Sequence, residues 1–375
     1  MNNYISNNVS VFLLCIVKYR QGEKMKNSIK KTFLLIVALT GLVACNNQTS
    51  TSSSSAQPTS SASTISSNSS SSSITNSSTS SSKPSSSSSS TIDYGKVYFN
   101  DIQIWSDYDH VRIRPYFTKP EMAENEVFDY FVVDESICYI EDDEVVYLSE
   151  GRTDVIATSE HFSYKFIVGA SQTFNYSSMA RSMNNLVDRD GLDENLTVFL
   201  GDSFFDFWRN GINNVTKWEN YYSEYKAINI GIGGTKTHDW RAMNKNIVCK
   251  TSPKNIIINL GTNNLNGGEL ANQTFLNMRD LLEDYQYYFP DAKIYIFTVT
   301  RCTGALSVNW SKAQQYNQKL KDYAETKDAI TVLDVAERFG LDYQDYLASD
   351  GLHLNQNAYE VYNEMIFDAV ELESK

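Results

Sequence analysis

Residues 256–260 read Ile-Ile-Ile-Asn-Leu and are followed directly by Gly-Thr-Asn-Asn at 261–264. Four apolar side chains in five positions, three of them β-branched, predict a strand that is buried on both faces. Such a strand lies inside a parallel sheet covered by helices, and ligands bind at the carboxyl ends of its strands. We therefore expect the Gly-Thr-Asn-Asn segment to lie at the edge of the sheet where ligands bind.

The same alternation of short apolar runs and longer amphipathic stretches extends over residues 185–375. Strands are predicted at 196–200, 227–230, 255–260, 294–300 and 330–335, and helices at about 204–210, 217–225, 238–248, 272–289, 311–327 and 356–370. This pattern predicts an α/β fold in which a doubly wound parallel sheet of five strands is flanked by helices.

The first predicted strand ends in Phe-Leu-Gly-Asp-Ser-Phe-Phe at 199–205, which places Ser203 at the turn from strand to helix. A hydroxyl there lies at the carboxyl edge of the sheet. The helix N-terminus beneath it would stabilise negative charge in an acyl-transfer transition state. By itself the Gly-Asp-Ser segment is equally compatible with an ordinary N-cap.

A glycine-rich loop follows the second predicted strand, where residues 229–237 read Asn-Ile-Gly-Ile-Gly-Gly-Thr-Lys-Thr. Its glycines allow backbone amides to approach a ligand closely. The loop lacks the Gly before Lys that a Walker loop needs, and it is not a complete dinucleotide fingerprint, so nucleotide binding is disfavoured. After the third strand, Asn263 offers a side-chain amide at the same edge, with an Asx turn as the alternative.

Residues 349–354 read Ser-Asp-Gly-Leu-His-Leu, just before the last predicted helix. The spacing lets the Asp350 carboxylate turn back to the imidazole of His353 and fix its tautomer, as an acyl-transfer base requires. His238 is the weaker candidate for this base, because it opens a predicted helix and has no carboxylate at an orienting spacing.

Together these four segments resemble the four blocks of the SGNH (GDSL-like) hydrolase superfamily, in the family's order and after the strands where the family carries them. The resemblance spans about 160 residues. It is closest to the branch with platelet-activating-factor acetylhydrolase-like and carbohydrate-ester-cleaving enzymes. Phe204 stands where the family name expects Leu.

The resemblance implies a carboxylic ester hydrolase with Ser203 as nucleophile, His353 as base and Asp350 as the partner of His353. It implies an oxyanion hole formed by Ser203, Gly234 and Asn263, with Gly233 as the alternative to Gly234. It implies no metal and no organic cofactor.

Five residues that flank the blocks are candidates for the substrate pocket, although aromatic side chains beside a helix are more often core residues. They are Phe204, Trp208, Trp240, Asn264 and Arg301. Aromatic residues near the site, together with the secretory pattern of residues 25–45, favour an acylated carbohydrate as substrate, with O-acetyl groups foremost. A lipid or lysophospholipid esterase and a catalytically inactive glycan-binding surface protein are the alternatives.

The first 45 residues have the pattern of a secretory signal region. Met25 begins a stretch with three Lys, followed by an apolar run at 33–44 and then by Cys45. The run of 12 residues is short for a bilayer span, which needs about 20. The segment Leu-Val-Ala-Cys at 42–45 resembles the lipobox of bacterial lipoproteins. It implies a start at Met25 rather than Met1, lipidation of Cys45 and anchoring on the extracellular face of a bacterial membrane.

Two segments separate this signal region from the α/β part. Residues 46–91 contain 26 Ser in 46 positions and one charged residue, Lys83, so this stretch predicts a disordered tether. Residues 92–172 hold seven or eight short apolar runs divided by turn residues, which predicts a small β-sandwich. Within it, 133–140 and 151–158 resemble the second half of bacterial immunoglobulin-like domains, which implies a spacer or adhesive role.

The charge balance bears on the partners of the chain. The formal net charge is −13, and beyond residue 45 there are 26 basic against 44 acidic residues. Phosphate binding is driven by Lys and Arg that release counterions, so nucleic acid is a poor partner. The expected partners are an acylated carbohydrate or another small ester and, through the lipid anchor, a membrane.

Overall fold

The computed structural model describes residues 93–108, 110–123, 126–303 and 310–375. The predicted signal region at 1–45, with Cys45, and the Ser-rich segment at 46–91 lie outside the described residues. Within the described ranges, no helix combines the length and the apolar character needed to cross a bilayer.

Short strands with alternating burial build residues 97–171, which we name the β-module. The strands are β1 (Val97–Phe99), β2 (Ile102–Trp105), β3 (His110–Arg112), β4 (Pro115–Phe117), β5 (Asp129–Val132), β6 (Cys138–Glu141), β7 (Glu144–Tyr147), β8 (Gly151–Thr158) and β9 (Ser163–Ser171). They form a four-stranded sheet in the order β2-β9-β8-β5, a three-stranded sheet β3-β7-β6 and a pair β1-β4. In β8, Thr153, Val155 and Ala157 are buried, which is the two-residue period of a half-buried strand. The immunoglobulin-like relationship stays a prediction.

The remainder of the chain alternates helices with parallel strands. The helices are α1 (Ser177–Asp190), α2 (Ser203–Asn210), α3 (Glu219–Tyr222), α4 (Thr237–Met243), α5 (Thr262–Asn266), α6 (Ala271–Tyr288), α7 (Trp310–Ala324), α8 (Val335–Phe339) and α9 (Gln356–Ala369). The strands are β10 (Glu194–Gly201), β11 (Ala227–Asn229), β12 (Ser252–Asn259), β13 (Lys293–Phe297) and β14 (Ile330–Leu333). Single 3-10 turns or short 3-10 helices lie at Pro120–Met122, Ile212–Asn214, Val248–Lys250 and Gly340–Tyr346.

The five strands β10 to β14 pair in parallel in the order β11-β10-β12-β13-β14. Numbered along the chain, this order is 2-1-3-4-5, a doubly wound arrangement. The predicted α/β fold, with a five-stranded parallel sheet flanked by helices, is confirmed.

The central strand β12 shows why this sequence forms a two-sided sheet. Ile256, Ile257 and Ile258 are fully buried, and successive side chains of a strand point to opposite faces. Accordingly Ile256 and Ile258 belong to one hydrophobic cluster and Ile257 to the other. Each such side chain contributes about 1.5–3 kcal/mol by burial, so a charged residue at any of the three would destabilise the sheet.

Helix α1 crosses residue 185, where the sequence predicts the α/β domain to begin. Its buried residues Ala180, Met183 and Val187 lie three and four positions apart, on one face of the helix. The regular structure of the α/β part therefore begins by residue 177.

A cluster of buried ion pairs joins the α/β part to the β-module. Arg241 of α4 contacts Asp280 at 3.3 Å and Asp284 at 2.9 Å, both on α6. From the β-module, Arg114 reaches Asp284 at 2.9 Å and Asn100 reaches Asp280 at 2.6 Å. Because buried charges are stable only when they are paired, the two aspartates depend on donors from both parts of the chain.

Candidate active site

Ser203 is the first residue of helix α2 and follows strand β10 after the cap residue Asp202. The Asp202 carboxylate accepts a hydrogen bond from the Phe204 N–H at 3.1 Å, as an N-cap does. Gly201 lets β10 approach β12 closely, since an added Cβ would come within 2.6 Å of the Asn259 carbonyl oxygen. The turn therefore presents the Ser203 hydroxyl at the carboxyl edge of the sheet, between β10 and β12, where the strand order reverses.

The structure brings the predicted hydroxyl, imidazole and carboxylate into one hydrogen-bonded series. Ser203 Oγ lies 3.0 Å from His353 Nε2. On the other side of the ring, Nδ1 lies 2.5 Å from Asp350 Oδ2. With Nδ1–H donating to the carboxylate, Nε2 is left to accept the Ser203 proton, and this arrangement suits nucleophilic catalysis.

A tight turn orients the Asp350 carboxylate. Its Oδ1 accepts the backbone N–H groups of Leu352 at 3.0 Å and His353 at 2.9 Å. Gly351 in this turn has φ 68°, a left-handed conformation that glycine adopts readily. Partial burial raises the pKa of Asp350, but the hydrogen bonds from the His353 ring and from the two backbone amides outweigh it and leave the pKa below its usual value. The carboxylate therefore stays ionised at neutral pH.

Two aromatic rings of α2 contact the imidazole. The Phe207 ring stacks on that of His353 with centroids 4.2 Å apart and 25° between the planes, and Phe204 meets it edge-on at 6.0 Å. Such contacts contribute about 0.5–1.5 kcal/mol each. Phe207 was not among the predicted site residues. Its position four residues after Ser203, on the same helix face, is the signal that identifies it.

The loop after β11 carries the two glycines proposed as oxyanion donors. The Gly233 N–H donates to Asp206 Oδ2 at 3.2 Å. For the N–H groups of Gly234 and Ser203, no hydrogen-bond acceptor is found in the part of the chain that the structure describes. These two amides have the capacity to donate to a substrate oxygen. The geometry therefore favours Gly234 over Gly233, and the oxyanion role itself stays a prediction.

Asp206 and Arg209 fasten this loop to helix α2. Their side chains pair at 2.5 Å, and Arg209 Nη1 donates to the carbonyls of Asn229 at 3.2 Å and Gly231 at 2.7 Å. Gly231 packs directly against α2, since an added Cβ would come within 2.7 Å of Phe205 Cβ. The loop is thus held against α2 by hydrogen bonds from Arg209 and to Asp206, and by the close packing of Gly231.

Asn263 lies at the same edge of the sheet, but its amide is already engaged. Its Nδ2 donates to the Thr235 carbonyl at 3.1 Å and to Asp202 Oδ2 at 3.4 Å. To serve as a third oxyanion donor, Asn263 would have to break its 3.4 Å hydrogen bond to Asp202. Burial raises the pKa of Asp202 to about 7, well above the usual range of a carboxyl group. The oxyanion role of Asn263 stays a prediction.

The two tryptophans predicted for the substrate pocket are core residues in the structure. Trp208 is fully buried and stacks on Tyr359 at 4.8 Å, because it lies on the face of α2 that is turned away from Ser203. Trp240 is also fully buried, and its Nε1 donates to Thr235 Oγ1 at 3.0 Å. Neither ring has surface left for a substrate, which corrects the prediction.

Of the other three predicted pocket residues, two are buried and one is exposed. Phe204 is 2% exposed, and Asn264 is fully buried with its amide donating to Thr237 Oγ1 at 3.1 Å. These two residues support the site from beneath and offer almost no surface to a substrate. Arg301 is exposed, and its guanidinium lies over the Tyr343 ring at 4.5 Å.

His238 lies outside the hydrogen-bonded series. Its ring is parallel to that of Trp105 in the β-module, with centroids 6.4 Å apart and 21° between the planes. Its Nε2 lies 3.7 Å from Asp239 Oδ1. Across the described ranges, no group of three or more His, Cys, Asp or Glu side chains is arranged to hold a metal ion.

The model of the GDSL-like Lipase/Acylhydrolase family matches residues 199–361. This segment includes the hydrogen-bonded series and both loops described above. The match supports the GDSL-like acylhydrolase domain that the sequence predicts in this segment, and it is consistent with a carboxylic ester hydrolase.

Among solved structures, those to which this chain is similar include three bacterial or fungal proteins. A GDSL-like lipase from Bacteroides thetaiotaomicron is 19% identical, over 52% of this chain and 96% of that chain, with a TM-score of 0.42. A carbohydrate esterase family 3 protein from Talaromyces cellulolyticus is 17% identical over 46% and 94%, with a TM-score of 0.37. A lipase/acylhydrolase from Enterococcus faecalis is 18% identical over 48% and 98%, with a TM-score of 0.38. No curated protein matches the sequence.

Proposed function

We propose that this protein is an extracellular serine esterase that hydrolyses short-chain acyl esters, with O-acetyl esters of carbohydrate as its main substrates. The observation that carries the proposal is the series from Ser203 Oγ through His353 to Asp350, at 3.0 and 2.5 Å. A hydroxyl in such a series is activated as a nucleophile by the adjacent base.

In the proposed reaction, His353 Nε2 takes the proton of the Ser203 hydroxyl as Oγ attacks the ester carbonyl carbon. The negative oxygen that forms is stabilised by the N–H groups of Ser203 and Gly234, with Asn263 as a third donor. The intermediate collapses by release of the alcohol, which takes the proton from His353, and the acyl group stays on Ser203. Water then attacks the acyl-enzyme with the same base, and the acid leaves.

The accessible groups around this series favour a hydroxylated substrate. The Asp350 side chain is 46% exposed and Arg301 is exposed. The Thr303 N–H donates to the Gly351 carbonyl at 2.7 Å, which ties the Arg301 segment to the Asp350 turn. Charged groups hydrogen-bond sugar hydroxyls, whereas a long acyl chain needs an extended apolar wall. Because Trp208 and Trp240 are buried, the proposal of a carbohydrate substrate rests on the exposed polar groups of Asp350 and Arg301.

Ser203→Ala tests the reaction. Wild-type protein is expected to hydrolyse p-nitrophenyl acetate, and Ser203→Ala to lower kcat by at least about 10⁴-fold with an unchanged thermal midpoint. Ser223→Ala, which alters an exposed serine directly after α3, is the matched control and should retain wild-type turnover. Unchanged hydrolysis by Ser203→Ala would contradict the proposal.

The substrate class is tested by a comparison of released acids. Acetate release from acetylated xylan, chitin-derived and peptidoglycan substrates is expected to exceed fatty-acid release from lysophospholipid. The reverse order would assign a lipid esterase. Glycan binding with turnover of none of these esters would assign a binding protein.

We also propose that Cys45 carries the lipid anchor, on the basis of the signal-like pattern at residues 25–45. In a bacterial host, Cys45→Ser is expected to lose incorporation of labelled palmitate and to leave the membrane fraction. Cys249→Ser, a change within the α/β part, is the control. Palmitate incorporation that persists in Cys45→Ser would exclude this anchor.

A further inference from the structure

The carbonyl of Gly234 is bound by a side chain that precedes the α/β sheet in the chain. Tyr176 Oη donates to the Gly234 carbonyl oxygen at 2.7 Å. Gly234 has φ 84° and no side chain to restrict its backbone. An added Cβ at this position would lie 3.2 Å from the Tyr176 hydroxyl oxygen. The hydroxyl therefore restrains the residue whose N–H is proposed to bind the oxyanion.

The β-module positions Tyr176 through a series of aromatic rings. The Phe174 ring meets that of Tyr176 at 5.6 Å, nearly edge-on, and Phe174 is 2% exposed. On its other side Phe174 packs against Trp105 at 4.7 Å and Tyr108 at 4.8 Å. Trp105 ends strand β2, so the tyrosine is braced against the β-module rather than against the sheet that carries Ser203.

Backbone contacts fix the same segment to the β-module. The Ser106 N–H donates to the Ser171 carbonyl at 3.2 Å, and Ser106 Oγ–H donates to the Gln172 carbonyl at 2.8 Å. The Trp105 ring also lies beside His238 in α4, the helix that follows the glycine loop. The β-module thus contacts both the segment that carries Tyr176 and the helix that follows Gly234.

We propose that Tyr176 is a positioning residue of the oxyanion hole and that the β-module, through Phe174, is part of the catalytic unit. This inference rests on the proposed esterase function. The Tyr176 hydroxyl holds the Gly234 backbone so that its N–H is directed at the developing oxyanion before the reaction begins. Its loss lowers stabilisation of the transition state and leaves ground-state binding of the ester nearly unchanged.

Tyr176→Phe removes the hydroxyl and keeps the ring. A fluorophosphonate is a suitable probe, because Ser203 Oγ bonds to phosphorus, fluoride leaves, and the phosphoryl oxygen occupies the oxyanion position. Intact-mass spectrometry is expected to show labelling about 5- to 10-fold slower than in wild type, the effect of one neutral hydrogen bond. With p-nitrophenyl acetate, kcat should fall by the same factor, with KM and the pH dependence of kcat unchanged. Tyr98→Phe on β1 is the matched control and should label at the wild-type rate.

A second pair of variants tests the contribution of the β-module. Phe174→Leu is expected to slow labelling at least about threefold, because it removes the ring that supports Tyr176. Phe117→Leu alters a buried phenylalanine within the β-module, one that packs against Phe128 and Phe162, and should leave the labelling rate unchanged. Equal slowing in both variants would overturn the role of the β-module.

The two levels of the proposal fail in different ways. If Ser203→Ala is inactive and Tyr176→Phe labels and turns over like wild type, the positioning role is overturned and the esterase assignment stands. If the wild-type protein is not labelled on Ser203, the proposed function fails, and the positioning role fails with it.

Discussion

Replacement of Asp350 by Asn tests whether the carboxylate fixes the tautomer of His353. The variant keeps an oxygen that can accept the N–H groups of Leu352 and His353, at 3.0 and 2.9 Å in the wild type, so the turn is expected to fold. The new amide nitrogen would face His353 Nδ1 and donate to it. The ring would then carry its hydrogen on Nε2 and could not accept the proton of Ser203.

The magnitude follows from the exposure of the carboxylate. In a serine protease with a buried triad carboxylate, the same change lowers kcat by about 10⁴-fold. The Asp350 side chain is 46% exposed, so water can take over part of its role. We therefore expect a smaller loss of about 10²- to 10³-fold. At about 1.4 kcal/mol per factor of ten, this is a barrier increase of about 3 to 4 kcal/mol.

The assay is kcat for p-nitrophenyl acetate between pH 5 and pH 9, together with the thermal midpoint. Asp342→Asn is the matched control, because Asp342 is exposed and lies in the neighbouring 3-10 helix Gly340–Tyr346. It should behave as wild type. Turnover by Asp350→Asn within threefold of wild type across this range would refute the reasoning and leave Ser203 and His353 as a pair.

Three further predictions concern the surroundings of the triad. Burial raises the pKa of Asp202 to about 7 from 3.8, so the folded protein binds a proton that the unfolded chain releases, and stability falls as the pH rises between these values. From pH 5 to pH 8, urea unfolding should show wild type losing about 3 kcal/mol relative to Asp202→Asn, and a constant difference would contradict this. Gly231→Ala inserts a Cβ within 2.7 Å of Phe205 Cβ and should cost about 1–3 kcal/mol of unfolding free energy; a urea midpoint equal to that of wild type would contradict this close packing. Phe207→Leu removes the ring stacked on His353 and should lower kcat about threefold, whereas an unchanged kcat would show that the ring does not hold the base.

The sheet could be predicted because its strands carry strong local signals. The apolar runs in β10, β12 and β13, β-branched at three successive positions in β12, strongly favour buried strands, and parallel strands bring their carboxyl ends to one edge. Ser203, Asn263 and the glycine loop all follow strands directly, so their convergence followed from topology. The pairing of Asp350 with His353 followed from a spacing of three residues.

Strand ends were predicted less well, and β13 shows why. It ends at Phe297, three residues before the predicted end at Thr300. The N–H and C=O of Val299 bond to the Asn317 side chain, both at 2.9 Å, instead of to a neighbouring strand. The Asn317 side chain on α7 thus takes the place of a neighbouring strand as the hydrogen-bonding partner of Val299. No property of residues 298–300 indicates this in the sequence.

The supports of the site were the least predictable part. Tyr176 and Gly234 are 58 positions apart, and no motif connects them. Trp208 and Trp240 flank the motifs in sequence, yet both lie on the buried faces of their helices and belong to the core. Helix α5 has five residues, too few for a periodic pattern to show.

Asp280 and Asp284 of helix α6 accept donors from both parts of the chain, and this limits where the chain can be divided into stable fragments. Asp284 divides its oxygens between Arg241 and Arg114 of the β-module. Asp280 Oδ2 accepts both Arg241 and Asn100 of the β-module, while its Oδ1 accepts Arg279. A fragment that began at residue 172 would leave Asp284 without Arg114 and Asp280 without Asn100. The chain is therefore expected not to divide at residue 172 into two independently stable proteins, because each buried aspartate would keep its charge with one donor fewer.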